Sequence, residues 1–139
     1  VFVFDFKKDI EIGRVGIGKS PLDWPYNQDL RNCEFYVGTV WNFKSFDGNK
    51  NSNWPGGGTL ENYNTANEGN DWKLVLEATD IPKENGVFWY DVPETVSKAD
   101  RTGRYLKIHP TVGYRGNTPC EIAEIYVDGI VQGNTADVE

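Results

Sequence analysis

Short runs of apolar and aromatic residues, most of them bounded by Gly, Pro, Asn or Asp, follow one another along the chain of 139 residues. In two runs the apolar residues recur at every second position: Cys33, Phe35 and Val37 in one, and Trp72, Leu74 and Leu76 in the other. This period is typical of a β-strand with one buried face. The runs predict seven strands, over residues 1–6, 9–17, 33–37, 71–78, 86–92, 104–110 and 121–131.

The second predicted strand changes phase part-way along. Its apolar residues occupy even positions up to Ile12 and odd positions from Val15 onward. One extra residue inserted into a strand produces such a shift. We therefore predict a β-bulge around Gly13 and Arg14.

Only residues 93–103 resemble a helix, with Pro93 near the start and Gly103 near the end. This stretch is too short for more than two turns, and we interpret it as a connector between strands. Seven short strands with polar connections and no sustained helical pattern predict an all-β fold. We expect a single domain over residues 1–139, an antiparallel β-sandwich of the jelly-roll kind.

Residues 46–70 form a long stretch that is rich in Asn and Gly and contains Trp54 and Tyr63. A loop of this length is uncommon in a compact domain unless it is functional or disordered. Its aromatic residues argue against simple disorder. We expect a loop that belongs to the domain and shapes or covers a recognition surface.

Charge excludes two classes of partner. The chain has 14 basic and 21 acidic residues, a net charge of −7, without a prominent cluster of Lys and Arg. Binding to nucleic acid or to an anionic membrane needs such a cluster, so neither is expected. No apolar run approaches the roughly 20 residues of a membrane-spanning helix, and no membrane insertion is expected. Residues 1–8 lack the layout of a signal peptide, and we interpret the chain as part of a longer protein.

The two cysteines, Cys33 and Cys120, allow two interpretations. They form one disulfide in an oxidising compartment, or they are two small buried hydrophobic residues. The sequence does not show whether their backbones approach each other.

Several segments occur in the order found in a known family. They are VFVFDFKKDIEIGRVGI, CEFYVGTV with EGNDWKLVLEA, GRYLKI and EIAEIYVDG. In this order they resemble the strands of coagulation factor five/eight type C domains, the discoidin-like or galactose-binding-like fold, and most of all the family 32 carbohydrate-binding modules. The resemblance covers most of residues 1–131. It departs from the family where residues 46–70 interrupt the DGxxW hairpin, and the family's opening segment has no counterpart here.

This resemblance implies a non-catalytic module that binds a mono- or oligosaccharide. Such modules are joined to catalytic or other domains in secreted, periplasmic or cell-surface bacterial proteins, glycoside hydrolases among them. The resemblance also places Glu124 where the family uses a carboxylate for structural calcium, an ion that prefers oxygen ligands. Other ligands of that ion come from the family's opening segment, so an exposed or hydrogen-bonded Glu124 is the alternative.

Sugar binding needs flat apolar surface for the C–H faces of a pyranose, together with a few donors and acceptors for its hydroxyls. Three predicted loops supply such groups. The candidate ligand-binding residues are Trp24, Tyr26, Trp54, Tyr114, Arg115 and Asn117. The last three are favoured, because their loop, 112–119, often contributes to the binding face of the resembling modules. The alternative is that Trp24 and Trp54 are lids over the ends of the sandwich.

Other conspicuous residues predict structure rather than chemistry. Trp41, Trp72 and Trp89 lie in or beside predicted strands, and we expect them in the core. His109 is expected at a strand end, without a nucleophile motif to accompany it. Glycosidase chemistry needs a pair of carboxylates at a defined separation, and the acidic residues show no such pair. No catalytic activity is expected of this chain.

Two functions therefore remain in view. The first is a carbohydrate-binding module, and the alternative is a structural or protein-interaction β-sandwich that packs against a neighbouring domain. A shallow aromatic surface ringed by polar groups would favour the first, whereas a large apolar patch with few polar groups would favour the second.

Overall fold

The computed structural model describes residues 2–19, 30–40, 71–114 and 124–133. These ranges form six strands: β1 (Phe2–Lys19), β2 (Leu30–Gly38), β3 (Lys73–Ala78), β4 (Gly86–Asp91), β5 (Thr102–Gly113) and β6 (Glu124–Val131). All strand pairs are antiparallel, which confirms the predicted all-β fold class. Within the described ranges, no helix is long and apolar enough to cross a membrane.

The first strand, β1, is one continuous strand where the sequence pattern predicts two. Its residues 2–11 pair with β5, and its residues 14–19 pair with β4. Along its other edge, residues 10–18 pair with β6. The polar residues that suggested a break lie at an irregularity in the register between Asp5 and Ile10. The strand therefore continues through them.

The predicted bulge around Gly13 is confirmed. The register of β1 against β6 shifts between Ile12 and Arg14. At the bulge the carbonyl of Gly13 accepts a hydrogen bond from outside the β1–β6 pair: the Val92 N–H donates to it at 2.9 Å. As a result Ile12 and Val15 are both fully buried, although they stand an odd number of positions apart.

The strands follow the order β3-β2-β5-β1-β4, and β6 pairs with the other edge of β1. The sheet curls until β3 and β4, at its two ends, contact each other. Its inner face encloses the apolar core, which consists of Ile12, Val15, Ile17, Leu30, Cys33, Phe35, Val37, Val75, Leu76, Ala78, Ile81, Val92, Leu106 and Ile108. Burial of this face supplies the main driving force for folding.

The alternation predicted for β2 is confirmed, but the one predicted for β3 is wrong. β2 buries the expected face, formed by Cys33, Phe35 and Val37. In β3, Leu74 is 47% exposed whereas Val75 and Leu76 are both buried. The register between β2 and β3 shifts at this point, so that one residue of β3 is additional. The sequence of β3 alone does not reveal an irregularity that depends on its partner.

His109 lies inside β5 and not at a strand end as predicted. Its Nδ1 is 3.0 Å from a carboxylate oxygen of Glu34 on the neighbouring strand β2, and both side chains are partly buried. The strand continues past Pro110, which has no N–H to donate. The register of β2 against β5 shifts beside Pro110, between Asn32 and Cys33, at the kind of irregularity where a sheet tolerates proline.

The helix-like stretch 93–103 begins as a series of turns that connects β4 to β5, as predicted. The Val96 N–H donates to the carbonyl of Pro93 at 3.0 Å. The guanidinium of Arg101 donates to the carbonyls of the same two residues, at 2.7 Å for Pro93 and 2.6 Å for Val96. The side chain of Arg101 thus fixes the connector from within.

Several predicted features lie outside the described residues. They include the loop 46–70 and the residues Trp24, Tyr26, Trp41, Trp54, Arg115, Asn117 and Cys120. Cys33 is fully buried in the core. The choice between a disulfide and two buried thiols therefore stays a prediction.

Lys19, at the end of β1, is 5% exposed and joins three segments of the chain. Its ammonium donates to the carbonyls of Leu30 at 2.8 Å, of Pro82 at 2.6 Å and of Ile81 at 3.4 Å. The hydroxyl of Tyr114 donates to the carbonyl of Ile81 as well, at 2.5 Å. A buried cation costs little when carbonyl oxygens replace its water in this way.

Replacing Lys19 with Met should lower the free energy of unfolding by about 2–4 kcal/mol, because buried carbonyls would lose a charged donor. Urea denaturation followed by circular dichroism measures this change. The exposed Lys73 of β3 provides the matched control, and its replacement with Met should change the free energy by less than about 0.5 kcal/mol. Equal stability of the two variants would contradict the role given to Lys19.

Candidate functional site

The strands β4, β1 and β6 form a continuous outer face, and glycines in the middle of this face leave the backbone without side chains. The central strand is β1, which carries Gly16 and Gly18 on this face between β4 and β6. Gly16 is the register partner of Trp89 on β4 and of Tyr126 on β6. A Cβ at Gly16 would lie 3.0 Å from atoms of the Trp89 ring, so the indole rests directly against the strand.

Trp89 and Tyr126 form an open aromatic surface, which we call the aromatic shelf. Their ring centroids are 6.0 Å apart, and their planes are inclined at 43°. The residues are 42% and 38% exposed. Each ring offers apolar surface, and the exposure of the two residues leaves part of that surface open to a ligand.

Charged groups border the aromatic shelf on both sides. The guanidinium of Arg14 lies 4.3 Å from the centroid of the indole, and its Nε donates to a carboxylate oxygen of Asp128 at 2.9 Å. Asp91 is also a register partner of Arg14, on β4. On the far side, the hydroxyl of the shelf tyrosine donates to the carboxylate of Glu124. The shelf therefore combines apolar rings with fixed donors and acceptors.

The prediction that Trp89 lies in the core is wrong. The residues of β4 that pack against the core are its neighbours Phe88 and Tyr90. The sequence contains a signal that was missed, because Asp91 shares the face of Trp89 at a period of two. A face that carries a charged residue and lies opposite Gly16 belongs to the outside of the sheet.

A second aromatic cluster, on the other part of the sheet, already encloses a cation of the protein. The ammonium of Lys107 lies 4.3 Å from the ring centroid of Tyr36 and 5.0 Å from that of Trp72. Lys107 is only 5% exposed, and burial lowers its pKa to about 8. Trp72 is partly buried on this outer face and belongs neither to the core nor to the residues packed against it, so the prediction that it lies in the core is wrong. This cluster is closed, whereas the aromatic shelf is open.

Tyr114 belongs both to the predicted ligand-binding loop and to the described residues. Its hydroxyl is bound to the carbonyl of Ile81. Cationic groups lie near its ring, at 5.3 Å for Lys19, 5.8 Å for Arg31 and 6.0 Å for Lys83. These contacts hold Tyr114 in the scaffold. Its role in ligand binding, and that of the candidates outside the described residues, stays a prediction.

Glu124 carries the sequence-based expectation of calcium. Its carboxylate accepts a hydrogen bond from Tyr126. Across the described ranges, no group of three or more His, Cys, Asp or Glu side chains is arranged to hold a metal ion. The carboxylate of Glu124 is thus hydrogen-bonded, and its role in calcium binding stays a prediction.

Comparison with known proteins identifies the fold but no family. No family model matches the chain, and no curated protein matches its sequence. Among solved structures, the chain is similar to the C-terminal domain of a chitobiase from Bacteroides fragilis, with a TM-score of 0.56 and 15% sequence identity. The match covers 93% of this chain and 62% of that domain. It supports the all-β architecture, and the comparisons do not show the discoidin-like family.

The stability of the protein should rise with pH above about 8 because of Lys107. Its pKa in the folded protein, about 8, lies below the ordinary value of 10.5, so the charged form disfavours the folded state and the neutral form removes that penalty. Melting temperatures at about pH 7 and pH 9.5 test this window. Relative to the Lys107→Met variant, the native protein should gain stability over this interval, and identical pH dependence in both would contradict the assignment.

The contact between Gly16 and Trp89 predicts a coupling in stability. A valine at position 16 would collide with the indole, and we expect Gly16→Val to destabilise the protein by about 1–3 kcal/mol. In a Trp89→Ala background the collision partner is gone, so the same substitution should cost at least about 0.5 kcal/mol less. Urea denaturation of the two single variants and the double variant measures the coupling. Simple additivity would show that the ring does not lie against the strand.

Proposed function

We propose that this chain is a non-catalytic carbohydrate-binding module that holds its glycan on the aromatic shelf. The observation that carries the proposal is the pair of open rings, Trp89 and Tyr126, set over the bare backbone of Gly16 with charged groups on both sides. A pyranose has an apolar C–H face and a rim of hydroxyls. The aromatic rings can contact the C–H face of the sugar, and the charged groups can form hydrogen bonds with its hydroxyls.

The polar groups around the rings offer complementary hydrogen-bonding roles. Arg14 has donors in a fixed fork, one of which is used by Asp128. The carboxylates of Asp128, Asp91 and Glu124 are acceptors for hydroxyl groups. Because Arg14 is both stacked on the indole and ion-paired, its guanidinium is held in place before any ligand arrives. Such preorganisation reduces the entropy lost on binding.

The proposed role is binding and not hydrolysis. Two of the three carboxylates that border the rings already have partners, Arg14 for Asp128 and Tyr126 for Glu124. Neither has the surroundings of a free acid or base poised for glycosidic cleavage. The isolated chain should therefore bind glycans without turning them over.

The rival function, docking against a protein domain, fits this surface less well. Its apolar part is formed by the two rings and the exposed Val87, and it is separated by Asp128 from the exposed Ile130. Charged side chains at Arg14 and Glu124 lie on opposite sides of it. Interface cores are depleted in charged residues, whereas sugar sites combine a ring surface with such polar groups.

The biological setting forms part of the proposal. A fold shared with the C-terminal domain of a chitobiase supports an accessory domain linked to a glycoside hydrolase or another carbohydrate-active protein. The ordered strand segments support a place near the discoidin-like, family 32 type of module. Proteins of this kind act on extracellular or surface glycans, so we propose a secreted, periplasmic or cell-surface location.

Substitution of Trp89 tests the proposal. The chain should be screened on a glycan array, and the strongest hit titrated by calorimetry. Trp89→Ala should reduce affinity by roughly tenfold to a hundredfold, because a ring at the centre of a binding surface carries much of its energy. Phe4→Ala is the matched control, since Phe4 is a 45% exposed aromatic residue on the part of β1 that pairs with β5. That variant should bind normally.

The alternatives give different results in the same titration. Loss of binding in Arg115→Ala, with full binding in Trp89→Ala, would move the site to the predicted loop 112–119. The absence of binding to any glycan on the array, by a chain with a normal melting curve, would refute the carbohydrate-binding function.

A further inference from the structure

A cleft of about 380 Å³ adjoins the aromatic shelf at the end where Arg14 lies. It is lined by Arg14, Asp91 and Asp128, which border the shelf, and also by Glu11 and Arg101. A ligand that stacks on the rings at this end would therefore extend a substituent into the cleft. The chemistry of the cleft then bears on which glycan is preferred.

The acidic side chains of this cleft exceed the basic ones. Arg14 is ion-paired with Asp128 at 2.9 Å. Arg101 uses its guanidinium to hold the carbonyls of the connector between β4 and β5. Glu11 and Asp91 have no hydrogen-bond or ion-pair partner among the described residues. The cleft thus holds three carboxylates against two guanidinium groups, with two of the carboxylates available to a ligand.

We propose that the ligand is a glycan with free amino groups, whose pyranose ring stacks on the aromatic shelf while its ammonium group enters the cleft beside Asp91 and Glu11. This inference rests on the proposed function, and it names the chemical class of the glycan. An ammonium group has three donors and no acceptor, which matches unpartnered carboxylates. A uronic acid or sulfated sugar would bring negative charge to an acidic cleft on a chain of net charge −7 and would be disfavoured.

The aromatic shelf and the cleft contribute separately to this recognition. The rings contact the C–H face of a sugar whether or not its amino group is acetylated, and they should bind both forms. The carboxylates distinguish the forms, because acetylation removes the positive charge and two of the three N–H donors. Asp91 and Glu11 are therefore specificity residues, while Trp89 provides affinity for the ring.

Titration calorimetry with two oligosaccharides of equal length tests the proposal. The probes are the fully deacetylated tetramer, built of glucosamine, and the tetramer of N-acetylglucosamine, at about pH 5, which lies above the ordinary pKa of Asp and Glu carboxyls and below that of a sugar amine. The deacetylated tetramer should bind more tightly. Asp91→Asn and Glu11→Gln should each weaken it by about three- to tenfold, a range discounted for solvent exposure, and Glu11→Gln, which changes a residue of the cleft alone, should leave the acetylated tetramer unaffected.

Glu77→Gln is the matched control, because it makes the same charge change at an exposed position of β3. Its binding of both tetramers should equal that of the native chain. A rise in salt concentration should also narrow the difference between the two tetramers, since exposed charge interactions are screened.

The outcomes separate this inference from the proposed function. Equal affinity for both tetramers in the native chain, with binding still lost in Trp89→Ala, would overturn the preference for amino groups and leave the carbohydrate-binding function intact. Tighter binding of a tetramer of galacturonic acid would overturn it as well. Binding of neither tetramer, together with no hit on the glycan array, would refute both.

Discussion

One additional residue in β1 decides which side chains of this protein are buried and which are presented. Strict alternation from Ile12 would turn Arg14 and Gly16 toward the core and Val15 toward solvent. The bulge between Ile12 and Arg14 reverses that assignment, so that Val15 fills the core and Arg14 reaches the outer face. The core and the aromatic shelf are two consequences of the same shift. A shift in β1 affects both the core and the shelf because, in the described part of the chain, β1 alone pairs with β4, β5 and β6.

On the outer face, a glycine packs against a tryptophan ring at two positions. A Cβ at Gly38 would lie 2.8 Å from the ring of Trp72, as one at Gly16 would crowd Trp89. In both places the missing side chain lets an indole lie against the strand. What differs is the environment of the ring. The ammonium of Lys107 lies against the Trp72 ring and is itself buried, whereas Trp89 is left 42% exposed and available to a ligand.

Local pattern predicted the bulge, the connector and the positions of the strands, although it divided β1 into two, because burial on one face imposes a period of two wherever pairing is regular. It failed where pairing is irregular. Leu74 is exposed because of a register shift against β2, and Pro110 sits inside a strand beside another shift. The site was harder still. The binding site was predicted in loops that contain Trp and Tyr, and Trp89, which lies in a strand, was assigned to the core. The sequence of a single strand does not show which of its two faces the neighbouring strands leave exposed to solvent.

The sequence by itself determined the all-β class, the acidic charge and the phase change at Gly13, since each depends only on composition or on neighbours along one strand. The tertiary structure alone decided that Trp89 and Tyr126 meet across Gly16, because their strands are far apart in the chain and come together only through pairing with β1. It also decided that Asp91 and Glu11 share a cleft. Contacts between distant segments depend on register, and register is fixed by the burial of the whole core.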